Sequence, residues 1–363
     1  MIPIANPDLG QPEIEKVSAV IDSGMVAAGS TVEEFETAFA EYCETDHAAA
    51  TSNGTTALHA AIEALDLGAG DRVVTTPFSY IASSNTIRLA GAEPVFADID
   101  PTTFNVDPEA VREIVENQEV DALLVVHLYG LPCDMAELNK IASEHDIPLI
   151  EDCAQAHGAT YNGKPVGSFG DAGCFSFYPT KNMTTGEGGM ILTDREDVVR
   201  YAESFANHGR PPEGGYEHIR VGHNFRMTNI AAAIGLAQLE KLPEFLADRR
   251  QNAKQLTAGI DDDIVDLPSV PEDRTHAYHQ YTIRTDARDA LLEHLHEHDV
   301  GAKIYYPICI HQQPAYDSDK YESECPVAEQ VANEVLSLPV HPNLSDEDIE
   351  SIINAVNSFE AGV

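Results

Sequence analysis

Tryptophan is absent from the chain, and positive charge is scarce. Only 21 Lys and Arg residues face 61 Asp and Glu, a formal net charge of -40. That imbalance excludes nucleic acid and anionic membrane as partners, because no basic stripe exists to displace phosphate counterions. No apolar run approaches the roughly 20 residues of a membrane-spanning helix. The start, Met1-Ile2-Pro3-Ile4-Ala5-Asn6-Pro7, has neither a basic region nor an apolar one, so no signal peptide is visible and a cytoplasmic location is expected. The six cysteines form no Cys-x-x-Cys pair, which argues against a metal cage or a disulfide framework and for small buried hydrophobes. Internal repeats and low-complexity linkers are lacking too.

What is present is an ordinary apolar share, 43%, in a chain of 363 residues, too long for one minimal core. The acidic excess is spread over helix faces such as Glu33–Glu36 and Asp346–Glu350 and is not gathered in a tail. It reads as a solvation device suited to a high-salt cytoplasm, a halophilic adaptation in which screening collapses the self-repulsion. From Glu33 to Leu192, helix-like and strand-like segments alternate. Thr55–Leu65 is an Ala/Leu-rich helix, and Arg72–Thr76 is a short strand stopped by Pro77. Pro94–Asp98, Asp121–Val126 and Ile147–Ile150 follow as strands, with a helix over Asp134–His145. The continuous apolar run in Asp121–Val126 suits a strand buried on both faces. This order predicts an α/β fold with a mostly parallel sheet covered by helices, and in such sheets ligands sit at the carboxyl ends of strands. Beyond Arg249 the texture changes, with a strand at Tyr281–Arg284, a His-rich helix near Leu291–His298 and two late helices. The division predicted is a large domain over 1–249 and a smaller C-terminal α+β domain over 250–363.

Three segments carry chemistry. Thr51-Ser52-Asn53-Gly54-Thr55-Thr56 enters a helix through small polar residues, and a helix N-terminus offers free N–H groups to a phosphate. Taken alone, ordinary N-capping accounts for it better. Asp152, in Glu151-Asp152-Cys153-Ala154-Gln155-Ala156-His157-Gly158, stands just past an apolar strand. A carboxylate there can hold a pyridinium proton, or simply cap the next turn. Lys181 lies in a polar, glycine-rich loop, Tyr178-Pro179-Thr180-Lys181-Asn182-Met183-Thr184-Thr185-Gly186-Glu187-Gly188-Gly189, between two strands. A lysine with a lowered pKa forms Schiff bases with carbonyls, although a lone lysine is more often a surface residue. The glycines do not fit a P-loop.

Together and in this order, these segments resemble the DegT/DnrJ/StrS family of pyridoxal-phosphate-dependent nucleotide-sugar aminotransferases. Val126-His127-Leu128-Tyr129-Gly130, Gly222-His223-Asn224-Phe225-Arg226-Met227 and Leu336-Ser337-Leu338-Pro339 extend the likeness over nearly the whole chain. The resemblance implies fold type I of the pyridoxal-phosphate enzymes. It implies Lys181 as the residue bound to pyridoxal 5'-phosphate and as the base that then moves the proton, and Asp152 as the partner of the pyridine nitrogen. Gln155 would lie near the phenolic oxygen, Gly54, Thr55 and Ser176 would hold the phosphate, and Tyr80 would stack on the ring. Asn224 would reach the cofactor of a second subunit, making a homodimer part of the site. Tyr178-Pro179 before the Thr-Lys pair and Cys153 after the Asp depart modestly from the family pattern.

The reaction implied is two half-reactions, with L-glutamate as amino donor and a nucleotide-linked keto sugar as acceptor. Arg226, Tyr306 in the Tyr305-Tyr306-Pro307 loop, and His311 are candidates to touch that sugar, with packing or interface roles equally open. Other readings are a sugar dehydratase of the same family, a non-catalytic regulator keeping the fold, and a plain nucleotide-binding protein. Dehydratase members typically carry His where this chain has Lys181. A regulator has no need of Asp152, Gln155, Ser176 and Lys181 together.

Overall fold

A computed structural model describes residues 1–317, 321 and 323–360. Helices α1 (Gln11–Ser23) and α2 (Ser30–Tyr42) lead into β1 (His47–Thr51) and α3 (Gly54–Ala64). Alternation follows: β2 (Arg72–Thr75), α4 (Ala82–Leu89), β3 (Glu93–Phe96), α5 (Pro108–Asn117), β4 (Ala122–Val126), α6 (Met135–His145) and β5 (Leu149–Asp152). Two short strands, β6 (Thr160–Tyr161) and β7 (Lys164–Pro165), precede β8 (Ala172–Ser176), β9 (Gly189–Thr193), α7 (Glu196–Ala206) and the long α8 (Asn229–Gly259). The remainder is β10 (Arg274–Thr275), β11 (Tyr281–Arg284), α9 (Arg288–Glu297), α10 (Pro326–Glu334), β12 (Val335–Leu338) and α11 (Asp346–Asn357).

Local chemistry sets several of these boundaries. Asp107 caps α5, whose first residue is Pro108, where the missing N–H costs nothing. Asp134 caps α6, which stops at Asp146 in the left-handed region. Ser345 and Asp348 form a capping box on α11.

The main sheet has seven strands in the order β1-β9-β8-β5-β4-β2-β3. The run from β8 to β3 is parallel, and β9 is antiparallel to both its neighbours. All five residues of β4 are buried, as its apolar run predicts for a strand covered on both faces. One cover is built by α3 and α7 through Leu58, Ile62, Val198 and Phe205; the other comes from α5 and α6 through Val111, Leu138 and Ile141. Against β8 and β9 pack Phe35 and Phe39 of α2 and Leu242 and Leu246 of α8. Further along α8, Ala253 and Leu256 join a separate core made with β11, β12, α9 and α11. The N-terminal Ile2 is bridged to Val300 beside that second core.

β5 differs from its predicted span. It starts at Leu149, after Pro148, and runs on through Glu151 and Asp152, because β4 supplies ladder partners at Val125 and Val126. Asp152 is therefore the last residue of the strand, not the residue after it. The alternating order and the parallel sheet agree with the sequence reading. No described helix is long and apolar enough to cross a membrane.

Candidate active site

The parallel strands end together, and the residues at that edge converge. Register places Val126 beside Asp152, Asp152 beside Cys174, and Ser176 beside Gly189, which in turn pairs with Thr51. The loop carrying Lys181 joins the end of β8 to the start of β9, so it arches over the same edge.

Asp152 is 4% exposed. Its Oδ2 accepts from Ser83 Oγ at 2.7 Å and its Oδ1 from the amide of Ala154 at 3.1 Å. Burial raises its pKa, with the Ser83 hydroxyl, the Ala154 amide and Lys181 pulling the other way. The Lys181 ammonium has no hydrogen-bond or ion-pair partner among the described residues, while its backbone N–H is tied to Tyr178 O at 2.8 Å. Desolvation brings its pKa down to about 8, against the pull of Asp152. Nearby, His157 is pushed down to about 3 by burial, and His279 is pushed down for the same reason. Both rings are neutral at pH 7 and add no charge beside the amine.

Gln155 is clamped at both ends: its Oε1 accepts from the amide of Tyr129 at 2.7 Å, and its Nε2 donates to the Tyr306 hydroxyl at 2.9 Å. Tyr306 thus enters the site through Gln155. Tyr80 is 60% exposed, with its ring centroid 6.3 Å from that of Tyr306.

The start of α3 meets the end of β8. Asn53 caps the helix by accepting from Thr56 N at 2.9 Å, which leaves the first-turn amides of Gly54 and Thr55 outside the helix ladder. A Cβ on Gly54 would lie 2.6 Å from Ser176 Cβ, so only glycine permits that approach. Gly54 and Ser176 are therefore brought together, with Thr55 next in the same helical turn. The segment carrying Asn224 and Arg226 lies alongside: Ser52 N donates to Phe225 O at 2.6 Å, and Arg226 bridges Thr51. Arg226 donates to Asn207 Oδ1 at 2.7 Å, and Asn224 is exposed. His311 lies 3.0 Å from Glu329 Oε1 and packs against the Phe96 ring.

The sequence reading missed a layer beneath the edge. Glu151 is fully buried and takes four donors: His127 Nε2 at 2.9 Å and the amides of Gly167, Phe169 and Gly170 at 2.8, 2.7 and 2.9 Å. Burial alone would raise its pKa; these donors outweigh it and hold the carboxyl below the usual range. The carboxylate favours protonation of His127, but the amide of Cys133 donates to His127 Nδ1 at 3.0 Å. The ring proton therefore sits on Nε2 and the imidazole is neutral. Ser83 was missed as well. Its signal was available, since it follows the end of β2, the edge where ligands are expected.

A phosphate-bearing aldehyde with a protonated ring nitrogen fits these residues: a free amine, a buried carboxylate with lone pairs to spare, and a helix N-terminus pressed on a serine. Comparison with known proteins agrees. The profile of the DegT/DnrJ/EryC1/StrS aminotransferase family matches residues 7–357. A dTDP-3-amino-3,6-dideoxy-alpha-D-galactopyranose transaminase of Aneurinibacillus thermoaerophilus is 39% identical, over 96% of each chain. A pleiotropic regulatory protein of Geobacillus stearothermophilus is also 39% identical, over 96% of this chain and 95% of that one. The crystal structure of an aminotransferase from Psychrobacter cryohalolentis superposes with a TM-score of 0.91 at 34% identity, covering 98% of both chains. The fold is that of the pyridoxal-phosphate-dependent aminotransferases, and the chain belongs to the DegT/DnrJ/EryC1/StrS aminotransferase family.

Proposed function

We propose that this protein transfers an amino group from L-glutamate to a keto group on a nucleotide-linked sugar. The observation that carries the reading is the unpartnered Lys181 amine above the buried carboxylate of Asp152, at the carboxyl edge of the sheet. The relative that acts on a dTDP-linked amino sugar supports the substrate class.

Pyridoxal phosphate supplies an aldehyde carbon to receive nitrogen and a protonated ring that draws electrons from the substrate carbon. The protein's residues do the rest. Lys181 Nζ would hold the cofactor and, as a free amine, would take up and return the proton. Its pKa of about 8 leaves it far more often neutral near pH 7 than an ordinary lysine. Asp152 would hold the ring proton, and the second N–H of Gln155 Nε2 would donate to the phenolic oxygen. Gly54, Thr55 and Ser176 would receive the phosphate, and Tyr80 would cover the ring. Tyr306, through its bond to Gln155, and Arg226 would contact the sugar. The position of His311 beside Glu329 favours a packing role for that residue.

The same reading takes the active molecule to be a cytoplasmic homodimer. Asn224 sits on an exposed arm with Tyr216 at 86%, Ile219 at 55% and Val221 at 87% exposure, apolar surface that a second copy would cover. The same reading divides the chain into two lobes near residue 250; in its support, α8 contributes Leu242 and Leu246 to one core and Ala253 and Leu256 to another.

The test is direct. Purified protein given pyridoxal phosphate develops a visible absorbance that L-glutamate shifts, and a keto sugar nucleotide then gains an amine by mass spectrometry. Lys181→Ala abolishes the covalent absorbance and lowers turnover by about 10²–10⁴-fold or more. A second reading, a regulator, is favoured by the relative of that name. Cofactor binding without turnover on any keto sugar nucleotide would select it.

A further inference from the structure

Beneath the cofactor's expected ring nitrogen, two hydroxyls lead into Asp152. Ser83 Oγ lies 2.7 Å from Asp152 Oδ2, 3.0 Å from Ser79 Oγ and 3.3 Å from Tyr80 O. Ser79, Ser83 and Asp152 are 4%, 1% and 4% exposed, so bulk water does not compete for these contacts. A serine has one proton to give. The shortest of the three contacts is to the carboxylate, and a charged acceptor is the stronger one, so the proton points at Asp152. It follows that Ser79 is the donor in the Ser79–Ser83 contact. The hydrogen bonds are then aligned head to tail, and each strengthens the next.

We propose that Ser79 and Ser83 form a donor chain that fixes the orientation and charge of Asp152, which makes Ser83 a positioning residue for the cofactor's ring nitrogen. This rests on the reading that Asp152 faces that nitrogen. Burial in this site drives Asp152 toward its neutral form, in which it could not hold a ring proton. The Ser83 hydroxyl is the strongest influence pulling it back. A hydroxyl suits the task better than a cation. An arginine bonded to Asp152 would satisfy its charge and compete with the pyridinium, whereas a neutral donor stabilises the carboxylate and leaves that charge for the ring. Ser83 lies in the first turn of α4, whose N-terminal dipole acts in the same direction. The remaining donor to Asp152 among the described residues is the Ala154 amide, on the other oxygen.

The experiment reads the ring nitrogen itself. Holoenzyme is loaded with cofactor labelled with ¹⁵N in the ring, and the ¹⁵N shift is followed from pH 6 to 10. In the unsubstituted protein the signal stays in the pyridinium range through neutral pH. Ser83→Ala moves loss of the ring proton down by about 1 pH unit, Ser79→Ala moves it by less, and Ser83→Thr restores the original curve. A merely structural serine would lower activity or melting temperature without moving this titration. An unchanged curve in Ser83→Ala overturns the proposal, provided Asp152→Asn in the same assay does move it. If Asp152→Asn leaves the signal unmoved, the assignment of Asp152 to the ring nitrogen fails, and the proposal with it.

Discussion

Lys181 shows how the site imposes a cost on the fold. Its pKa is held near 8 in the folded chain, below the ordinary lysine value, chiefly because burial disfavours the charge. Between those two values the unfolded chain binds more protons than the folded one, so stability rises with pH across that window. Below about pH 8 the full penalty is present, up to ~3 kcal/mol by the size of the shift. Lys181→Met should therefore melt higher than the unsubstituted protein at pH 7 without cofactor, with the gap narrowing as pH rises toward 10. Equal melting temperatures at pH 7 would mean the amine is solvated. Lys181 was conspicuous in the sequence as a lysine in a glycine-rich loop of a chain poor in cations, and the family resemblance implied its role. For Ser83 only its place after β2 could be read; its pairing with Asp152, 69 residues away, could not, because nothing local joins them.

Among elements, β4 and β5 are joined by side chains as well as by the ladder. Glu151 of β5 bonds His127, which follows β4, and gathers the three amides of the 167–170 turn that leads into β8. Glu151→Gln keeps the shape but turns an NH₂ group toward N–H donors. We expect a loss of about 3–5 kcal/mol, the cost of breaking a buried charged network, measured by urea unfolding without cofactor. A loss below about 1 kcal/mol would show that these four bonds add little. The ionised carboxyl supports the fold above the ordinary glutamate pKa, and that support is lost as pH falls through its lower folded value. A strand such as β4 was legible because a fully buried parallel strand reads as an apolar run. The reach of β5 through Glu151 and Asp152 was not, since two carboxylates ordinarily end a strand; here partners from β4 and the 167–170 turn hold them in place.

For the molecule as a whole, charge dominates. A formal -40 over one chain repels itself at low ionic strength, and the ion pairs formed by 21 cations cannot offset 61 anions. The screening length falls from about 10 Å at 0.1 M salt to about 3 Å at 1 M. Melting temperature should climb by about 10 °C between 0.1 and 2 M KCl; a flat response would remove the argument for adaptation to salt. The sequence alone determined the fold class and the family, and singled out the lysine and aspartate on which the proposed site is centred. These follow from local periodicity and from motifs whose residues are neighbours along the chain. Tertiary structure alone decided which side chains pair with them and around them: Ser83 with Asp152, Tyr306 with Gln155, four donors with Glu151, and His311 with Glu329. Those pairings depend on the alignment of strands and on loops far apart in the chain, where each buried polar atom must find a partner or bear the cost of lacking one.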